Sequence, residues 1–353
     1  MFFNYAGSYF QDYESTCGDG WGCKMLLFGL VVLARVLGHE MVISLLEHPD
    51  LVSASRSFCV IPERKLSISE EPVQAKSVYV FQREYATVDP ALVEIVGTDE
   101  ATTCVGMVIR NCVTGMTCVA HLDSPDVVAT GIFQMMSQVS DSANNDIVLD
   151  VHLVGGFEDS APQENSMEGY SFPLCMKIVE TLAQSVFKFE IRNFQVLKHN
   201  TRRDSKGNAY PIFHGLAVET SSGLVIPACF DASTRCPDDI IRRIRLSASF
   251  EDPRRSGRLL DTYETQTDRF VITPFTWTNQ LVHYALLMRH RSDPEILLST
   301  STSPLAEGPD YVHNQKRGGI HDVDDLEVGR ETTRDSGDEG FNQDLRFKRG
   351  VEL

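Results

Sequence analysis

Pairs of short strands alternate with helices along this chain, and that order constrains the fold most. Runs of β-branched residues predict strands at 104–110, 116–121, 148–154, 189–197, 211–219, 223–230 and 268–275. Apolar residues at helical spacing predict helices at 126–139, 173–188, 237–247 and 278–290. Strands joined directly by a turn pair antiparallel, whereas parallel neighbours need a crossover between them. The order therefore predicts an α+β protein in which helices pack against a mixed, largely antiparallel sheet, rather than a doubly wound parallel fold.

The composition indicates a folded, reduced protein that does not bind nucleic acid. Of its 353 residues 42% are hydrophobic and 23% charged, which suffices for a substantial core. A net charge of −17 argues against non-specific binding to nucleic acid, and the arginines between 242 and 258 are expected on a solvated helix face and loop. Nine cysteines, several of them within apolar runs, indicate an intracellular protein rather than a disulfide framework.

The two ends of the chain differ from its middle. Residues 1–38 form an atypical N-terminal segment, irregular at first and then apolar. Its run MLLFGLVVLA, at 25–34, is about half as long as a membrane span and continues into a helical pattern, which predicts a buried helix and no membrane association. Charge and glycine replace the apolar pattern over 314–353, which predicts a disordered tail. One domain is therefore expected over 39–313.

The segment EATTCVGMVIRNCVTGMTCVAH, residues 100–121, is typical of two strands joined by a turn between Asn111 and Gly115. Folding it about its middle places Cys104 opposite His121 to within one residue, and cross-strand neighbours have Cβ atoms about 5 Å apart. At that distance a thiol and an imidazole can share a proton and become a thiolate–imidazolium pair. A thiolate attacks amide carbonyls and the imidazolium protonates the departing amine, so the spacing indicates amide hydrolysis through a thioester.

Two other interpretations of these residues stay open. The cysteines can be buried filler within strands, and the histidine an ordinary core residue. A zinc site would draw on Cys104, Cys112, Cys118 and His121. Their spacing lacks the paired pattern of zinc ligands, which weakens that interpretation. We therefore expect neither a metal nor an organic cofactor.

Four blocks of the sequence, in this order, resemble the protein N-terminal asparagine amidohydrolase family. They are YVFQREYA (79–86), GTDEATTCVGMVIRN…GMTCVAHLD (97–123), LDVHLVGGFED (149–159) and LSTSTSPLAEGPDYV (298–312). The resemblance spans roughly residues 40–313, so the first 38 or so residues are additional to the family's usual chain. It implies the fold of the cysteine hydrolases that include necrotizing-factor toxins and bacterial chemoreceptor deamidases, an α-β-α sandwich.

The resemblance also implies catalytic roles. It assigns the nucleophile to Cys104 and the histidine to His121, the pair that the hairpin spacing selects. Members of the family use a hydroxyl as the third group, which falls on Ser301, expected to orient His121. Ser303 is the alternative for this role or a substrate contact, because the register of the STSTSP block is open. A helix cap or a turn before Pro304 is the structural alternative for both serines.

The implied substrate makes two further demands on the site. Its free α-ammonium group needs a carboxylate or carbonyls nearby, and Asp99, Glu100 and Asp123 flank the pair, with Asp99 as our first expectation. The oxyanion needs main-chain N–H donors, which we expect around Thr103 and Cys104 and which contribute about 3 kcal/mol each in other acyl-transfer sites. These residues are therefore expected to bind the substrate.

The resemblance implies an enzyme that converts the N-terminal asparagine of proteins to aspartate through a Cys104 thioester and releases ammonia. That product feeds the arginylation branch of the N-degron pathway of ubiquitin-dependent degradation, which makes the arginylation machinery the expected downstream partner. We expect a monomer in the cytoplasm, with the nucleus left open. Two rivals remain: a non-catalytic module that binds N-terminal asparagine, and a deamidase of internal glutamine or of a small-molecule amide.

Overall fold

The computed structural model describes residues 38–67, 76–140, 147–159, 169–235, 239–273 and 290–317, several isolated positions between 237 and 288, and the backbone of Leu345–Lys348. The apolar run at 25–34 and most of the predicted helix at 278–290 lie outside the described residues. No helix in the described ranges is both long and apolar enough to cross a membrane.

The secondary structure follows the predicted alternation. In the described ranges the helices are α1 (38–47), α2 (Pro49–Cys59), α3 (Val128–Val139), α4 (Ser171–Gln184), α5 (Asp239–Glu251), α6 (Asp293–Thr300) and α7 (311–317). The strands up to the middle of the chain are β1 (Arg64–Leu66), β2 (Ser77–Tyr79), β3 (Glu84–Val88), β4 (Ile95–Thr98), β5 (Val105–Asn111), β6 (Thr117–Leu122), β7 (Val148–Gly155) and β8 (Lys188–Gln195). The later strands are β9 (Thr201–Arg203), β10 (Ala209–Pro211), β11 (Leu216–Glu219), β12 (Leu224–Phe230), β13 (Leu260–Asp261), β14 (Tyr263–Glu264), β15 (Arg269–Ile272) and β16 (Leu345–Lys348). The strands predicted at 104–110 and 116–121 are confirmed to within one residue.

Two large sheets organise the protein. The first has the order β13-β3-β6-β5-β7-β8, with antiparallel central strands and parallel pairs at both edges. The second has the order β1-β12-β11-β4-β2, again antiparallel in the middle and parallel at the edges. Smaller sheets join β9 to β10 and β14 through β15 to β16. The prediction of an α+β protein with mixed, largely antiparallel sheets is confirmed.

The two large sheets pack face to face, because the central strands of the first sheet are apolar on both sides. Val108 and Val119 lie in the apolar cluster between the sheets. Met107 and Ile109 point the other way, into the cluster beneath α3 and α4. All four side chains are fully buried. A helical layer therefore covers one face and the second sheet the other, so the sandwich has two β layers where the expected α-β-α arrangement has one.

Helix α5 covers the outer face of the second sheet, where Leu246 packs against the cluster that contains Phe230. A buried ion cluster anchors this helix: Glu84, at the start of β3, accepts hydrogen bonds from Arg242 and Arg245. None of these three side chains has exposed surface. Burial raises the pKa of Glu84, but the two guanidinium groups outweigh it and lower that pKa. The expectation that all these arginines lie on a solvated face is therefore wrong, because the buried carboxylate requires two of them inside.

The predicted tail at 314–353 lies mostly outside the described residues. Residues 314–317 complete α7, and β16 pairs antiparallel with β15. The division into a segment at 1–38, a domain at 39–313 and a tail stays a prediction.

Candidate active site

A tight turn joins β5 to β6 and sets their register. The Asn111 side chain accepts hydrogen bonds from two main-chain N–H groups of the turn, and Gly115 adopts φ +78°, which favours glycine. The ladder pairs Gly106 with His121. The prediction that Cys104 lies opposite His121 to within one residue is therefore wrong, because the hairpin folds further along the chain than the middle of the segment.

Cys104 and His121 nevertheless lie on one side of the hairpin. Side chains alternate along a strand, so positions two apart share a face. Extending the ladder by one residue beyond the Val105–Leu122 pair brings Cys104 beside Asp123 and diagonal to His121, a relation in which the two residues lie about 7–8 Å apart. This side faces the second sheet, because a Cβ atom on Gly106 would lie 3.0 Å from Thr98 Cγ2 of β4.

His121 is held by one of its two ring nitrogens. Its Nδ1 lies 2.8 Å from the Thr98 hydroxyl, and both side chains are buried. Its Nε2 is buried and has no hydrogen-bond partner among the described residues. Burial lowers the pKa of His121 to about 4, although nearby carboxylates, Asp123 foremost, act in the opposite direction. The imidazole is therefore neutral at pH 7, with one nitrogen available.

Cys104 keeps some accessible surface, but protein atoms surround its thiol. Burial raises the pKa of this thiol well above its usual range, and the carboxylates of Asp123 and Glu307 raise it further. The guanidinium of Arg83 and a hydrogen bond with Thr103 act in the opposite direction without reversing the shift. The resting site therefore holds a neutral thiol and a neutral imidazole, not the thiolate–imidazolium pair that spacing suggests.

The main chain just before β5 presents unused N–H groups. In the described part of the protein, the N–H groups of Thr103 and Cys104 donate no hydrogen bond. The Thr103 carbonyl accepts a hydrogen bond of 3.4 Å from the Ser171 hydroxyl at the start of α4. Gly155, at φ +118°, approaches so closely that a Cβ atom there would lie 2.6 Å from the Cys104 carbonyl oxygen. The segment of Cys104 is thus fixed from both sides while its amide donors stay available.

The loop after α6 packs against this segment. The Thr302 hydroxyl lies 2.8 Å from the Thr103 hydroxyl. Ser301 donates to Glu307 Oε1 at 2.5 Å and accepts from the Ser303 N–H group at 3.0 Å. The Ser303 hydroxyl is buried without a partner in the described residues. The structure thus brings the predicted serine block to the segment of Cys104, but the hydroxyl bonded to the histidine belongs to Thr98 rather than to Ser301.

Asp99, the expected ammonium ligand, lies within a hydrogen-bond network. Its carboxylate accepts from the Tyr79 hydroxyl at 2.8 Å, from the Phe230 N–H group at 2.6 Å and from Arg235 at 3.0 Å. Burial raises the pKa of Asp99 to about 6, against the influence of Arg235. Both of its oxygens are therefore engaged by the protein itself.

The other two acidic residues that flank the pair are also engaged. Asp123 accepts from Arg83 Nε through both oxygens, at 3.0 and 3.1 Å, and from Gln82 at 3.3 Å. Glu100 accepts a hydrogen bond from Arg243 at 3.1 Å through one oxygen and a hydrogen bond from Arg235 through the other. These carboxylates hold the loops around the site in place.

Sequence reasoning missed Thr98 and Glu307. Both lie within blocks that resemble the family, and that was the one available signal. Their contacts join segments far apart in the chain, which spacing along one segment does not reveal. No group of three or more His, Cys, Asp or Glu side chains in the described residues is placed to hold a metal ion.

Comparison with known proteins relates this site to a family. The profile described as protein N-terminal asparagine amidohydrolase matches residues 67–319. The chain is 49% identical over 291 residues to the protein N-terminal asparagine amidohydrolase of Arabidopsis thaliana, which covers 79% of this chain and 84% of that protein. It is 31% identical to the human and 32% identical to the Mus musculus protein of the same name over 241 residues, which cover 67% of this chain and 71% of each relative.

Proposed function

The chain belongs to the protein N-terminal asparagine amidohydrolase family, and from that premise we propose that it converts the N-terminal asparagine of proteins and peptides to aspartate with release of ammonia. One observation carries the proposal. On the face that Cys104 and His121 share, the imidazole keeps a buried nitrogen with no partner among the described residues. A nitrogen of this kind is what a thiol needs as a general base.

The reaction begins with the neutral pair. His121 Nε2 removes the thiol proton as the Cys104 sulfur attacks the carboxamide carbon of the substrate side chain. This requires the tautomer in which Nδ1 carries the proton and donates it to the Thr98 hydroxyl, 2.8 Å away. The imidazolium then returns the proton to the amide nitrogen, ammonia leaves and a thioester remains. Water, deprotonated by the same nitrogen, attacks the thioester, gives aspartate and restores the thiol.

The main chain stabilises the anion that forms in each half-reaction. The N–H groups of Thr103 and Cys104 have no acceptor in the described residues, so we assign them as the donors to the oxyanion. Each such donor lowers the barrier by about 3 kcal/mol in comparable acyl-transfer sites. Because the oxyanion forms only when the carbonyl carbon is attacked, this stabilisation acts on the transition state rather than on the free enzyme.

We assign the remaining predicted residues to support of this chemistry. Thr98 is the hydroxyl that orients the histidine, because it is the one in contact with Nδ1. Ser301 positions Glu307, and Ser303 offers a buried hydroxyl that has no partner among the described residues. Asp99 and Asp123 fix the surrounding loops through their arginine partners.

The biological setting follows from the chemistry of the product. An N-terminal aspartate is the form that arginylation accepts, so we place the chain upstream of arginylation in the N-degron pathway. We propose that it acts as a cofactor-free monomer in the cytoplasm, with the nucleus as the alternative. Family membership supports this placement.

The test is ammonia release from matched peptides that begin with asparagine, glutamine or acetylated asparagine. The intact protein is compared with Cys104→Ala and with Cys112→Ala, which alters an exposed thiol bonded to Asp150. Release from the free asparagine peptide that is lost in Cys104→Ala and kept in Cys112→Ala supports the proposal. Release from the glutamine or acetylated peptide at similar rates favours another deamidase. Tight binding of the asparagine peptide without release favours the non-catalytic module.

A further inference from the structure

The site contains one carboxylate that differs from the rest. In each of Asp99, Glu100 and Asp123, both oxygens accept hydrogen bonds from the protein. In Glu307, two hydroxyls share a single oxygen: Thr102 donates to Oε1 at 3.5 Å and Ser301 at 2.5 Å. No described residue donates a hydrogen bond to Oε2, and Oε2 is not one of the buried side-chain atoms that lack a partner, so it keeps accessible surface.

Glu307 lies beside the segment that carries Cys104, because its carboxylate accepts a hydrogen bond from Thr102. Its carboxylate is one of two that raise the pKa of the Cys104 thiol, so the two groups interact electrostatically across the site. The contact between Thr302 and Thr103 holds the loop of Glu307 against the nucleophile segment. The orientation of the carboxylate is fixed through Oε1, so Oε2 is presented to a ligand at a set position.

The free oxygen suits the part of the substrate that the mechanism leaves unbound. An N-terminal asparagine carries an α-ammonium group, separated from the reacting carboxamide carbon by its Cα and Cβ atoms. This cation brings three N–H donors, and a partly buried carboxylate is a strong acceptor for them. Burial raises the pKa of Glu307, although its hydrogen bond from Ser301 acts in the opposite direction. A bound cation would therefore stabilise the ionised carboxylate, which burial disfavours.

We propose that Glu307 binds the α-ammonium group of the substrate through Oε2 and thereby restricts the enzyme to unblocked N-terminal residues. The inference rests on the proposed function and replaces Asp99 as the ammonium ligand. Loop contacts fix both the Glu307 carboxylate and the Cys104 thiol. The distance between these two groups therefore selects substrates by the distance between their ammonium nitrogen and their carboxamide carbon. Glutamine, longer by one methylene, fits that distance less well than asparagine.

The decisive experiment compares two substrates in one variant. One peptide begins with asparagine, and the other with succinamoyl, which is asparagine with its α-amine replaced by hydrogen. Glu307→Gln is expected to lower the ratio of kcat/KM between these peptides by about 100-fold, because the variant loses a charge pair that only the first can make. Glu307→Asp, which keeps the charge, should retain more of the ratio. Glu219→Gln, in a half-exposed ion pair with Arg64, serves as the matched control and should leave the ratio unchanged.

The pH dependence supplies a second readout. An α-amine loses its proton at a pKa of about 7.7 to 8.0, so kcat/KM of the wild type for the asparagine peptide should fall as pH rises through that range. In Glu307→Gln this alkaline limb should flatten, because a neutral amide distinguishes the two forms of the amine less. An equal loss for both peptides, with the ratio and the alkaline limb kept, would reduce Glu307 to a structural residue and overturn the inference.

Binding separates this inference from the proposed function. In a Cys104→Ala background, titration calorimetry measures the Kd of the asparagine peptide with and without Glu307→Gln. An increase in Kd of about 100-fold for the asparagine peptide, but not for the succinamoyl peptide, supports Glu307 as the ammonium ligand even if the wild type releases no ammonia. Identical Kd values for the asparagine peptide with and without Glu307→Gln overturn the inference even if the wild type is fully active.

Discussion

Replacement of Thr98 by valine tests the hydroxyl that we assign to His121. Valine keeps the shape of the side chain but removes the 2.8 Å hydrogen bond to Nδ1. Both groups are buried, so Nδ1 would be left without a partner, which costs about 1–3 kcal/mol. If that cost falls on the tautomer and ring orientation needed in the transition state, kcat/KM drops by about 10- to 100-fold, at about 1.4 kcal/mol for each factor of ten.

The assay is steady-state ammonia release from an asparagine peptide, together with thermal unfolding of each variant. Thr117→Val is the matched control: it removes a buried hydroxyl that donates to the Gly115 carbonyl at 2.9 Å, on the same strand as His121 but at its other end. We expect both variants to lose stability, but only Thr98→Val to lose activity. Thr98→Ser, which restores the hydroxyl, should recover most of that activity. Equal activity of Thr98→Val and the wild type would refute the assigned contact.

Four further measurements test the structure. Burial lowers the pKa of His121 to about 4, so on the acid side of neutrality kcat/KM should stay level until pH approaches that value, whereas an acid limb near 6.5 in the pH–rate profile would contradict the neutral resting pair. Because the unfolded chain takes up that proton near 6.5, the free energy of unfolding should decrease by about 3 kcal/mol as pH falls from 6.5 to 4, through this group alone. Gly106→Ala places a Cβ atom 3.0 Å from Thr98 Cγ2 and should lower kcat/KM by about tenfold with a loss of about 1–2 kcal/mol in stability, as peptide kinetics and thermal unfolding would reveal. Glu84→Gln leaves two buried arginines without their counter-charge and should reduce the free energy of unfolding by about 3–5 kcal/mol, whereas Glu219→Gln, at the exposed pair with Arg64, should barely change the denaturation midpoint.

Several features were accessible from the sequence because they depend on residues close together in the chain. The alternation of hairpins and helices predicted the α+β class. The turn signals between Asn111 and Gly115 located the hairpin. The thiol and the imidazole at its ends share one side of the hairpin, since side-chain direction repeats every two residues. The exact register was not accessible from the sequence, because it depends on how many residues the turn contains, and that number varies between turn types.

Only the tertiary structure decided what surrounds this pair. Thr98 reaches His121 because β4 belongs to a second sheet that packs on the first. The same packing buries Cys104 and His121 and leaves both neutral at rest, a state that depends on the atoms around them rather than on their own chemistry. Glu307 reaches the site from about two hundred residues away in the chain, near Thr102 and Ser301. The sequence by itself determined which groups can react, whereas folding determined their protonation and their partners, because burial and hydrogen bonding are properties of segments brought together in space.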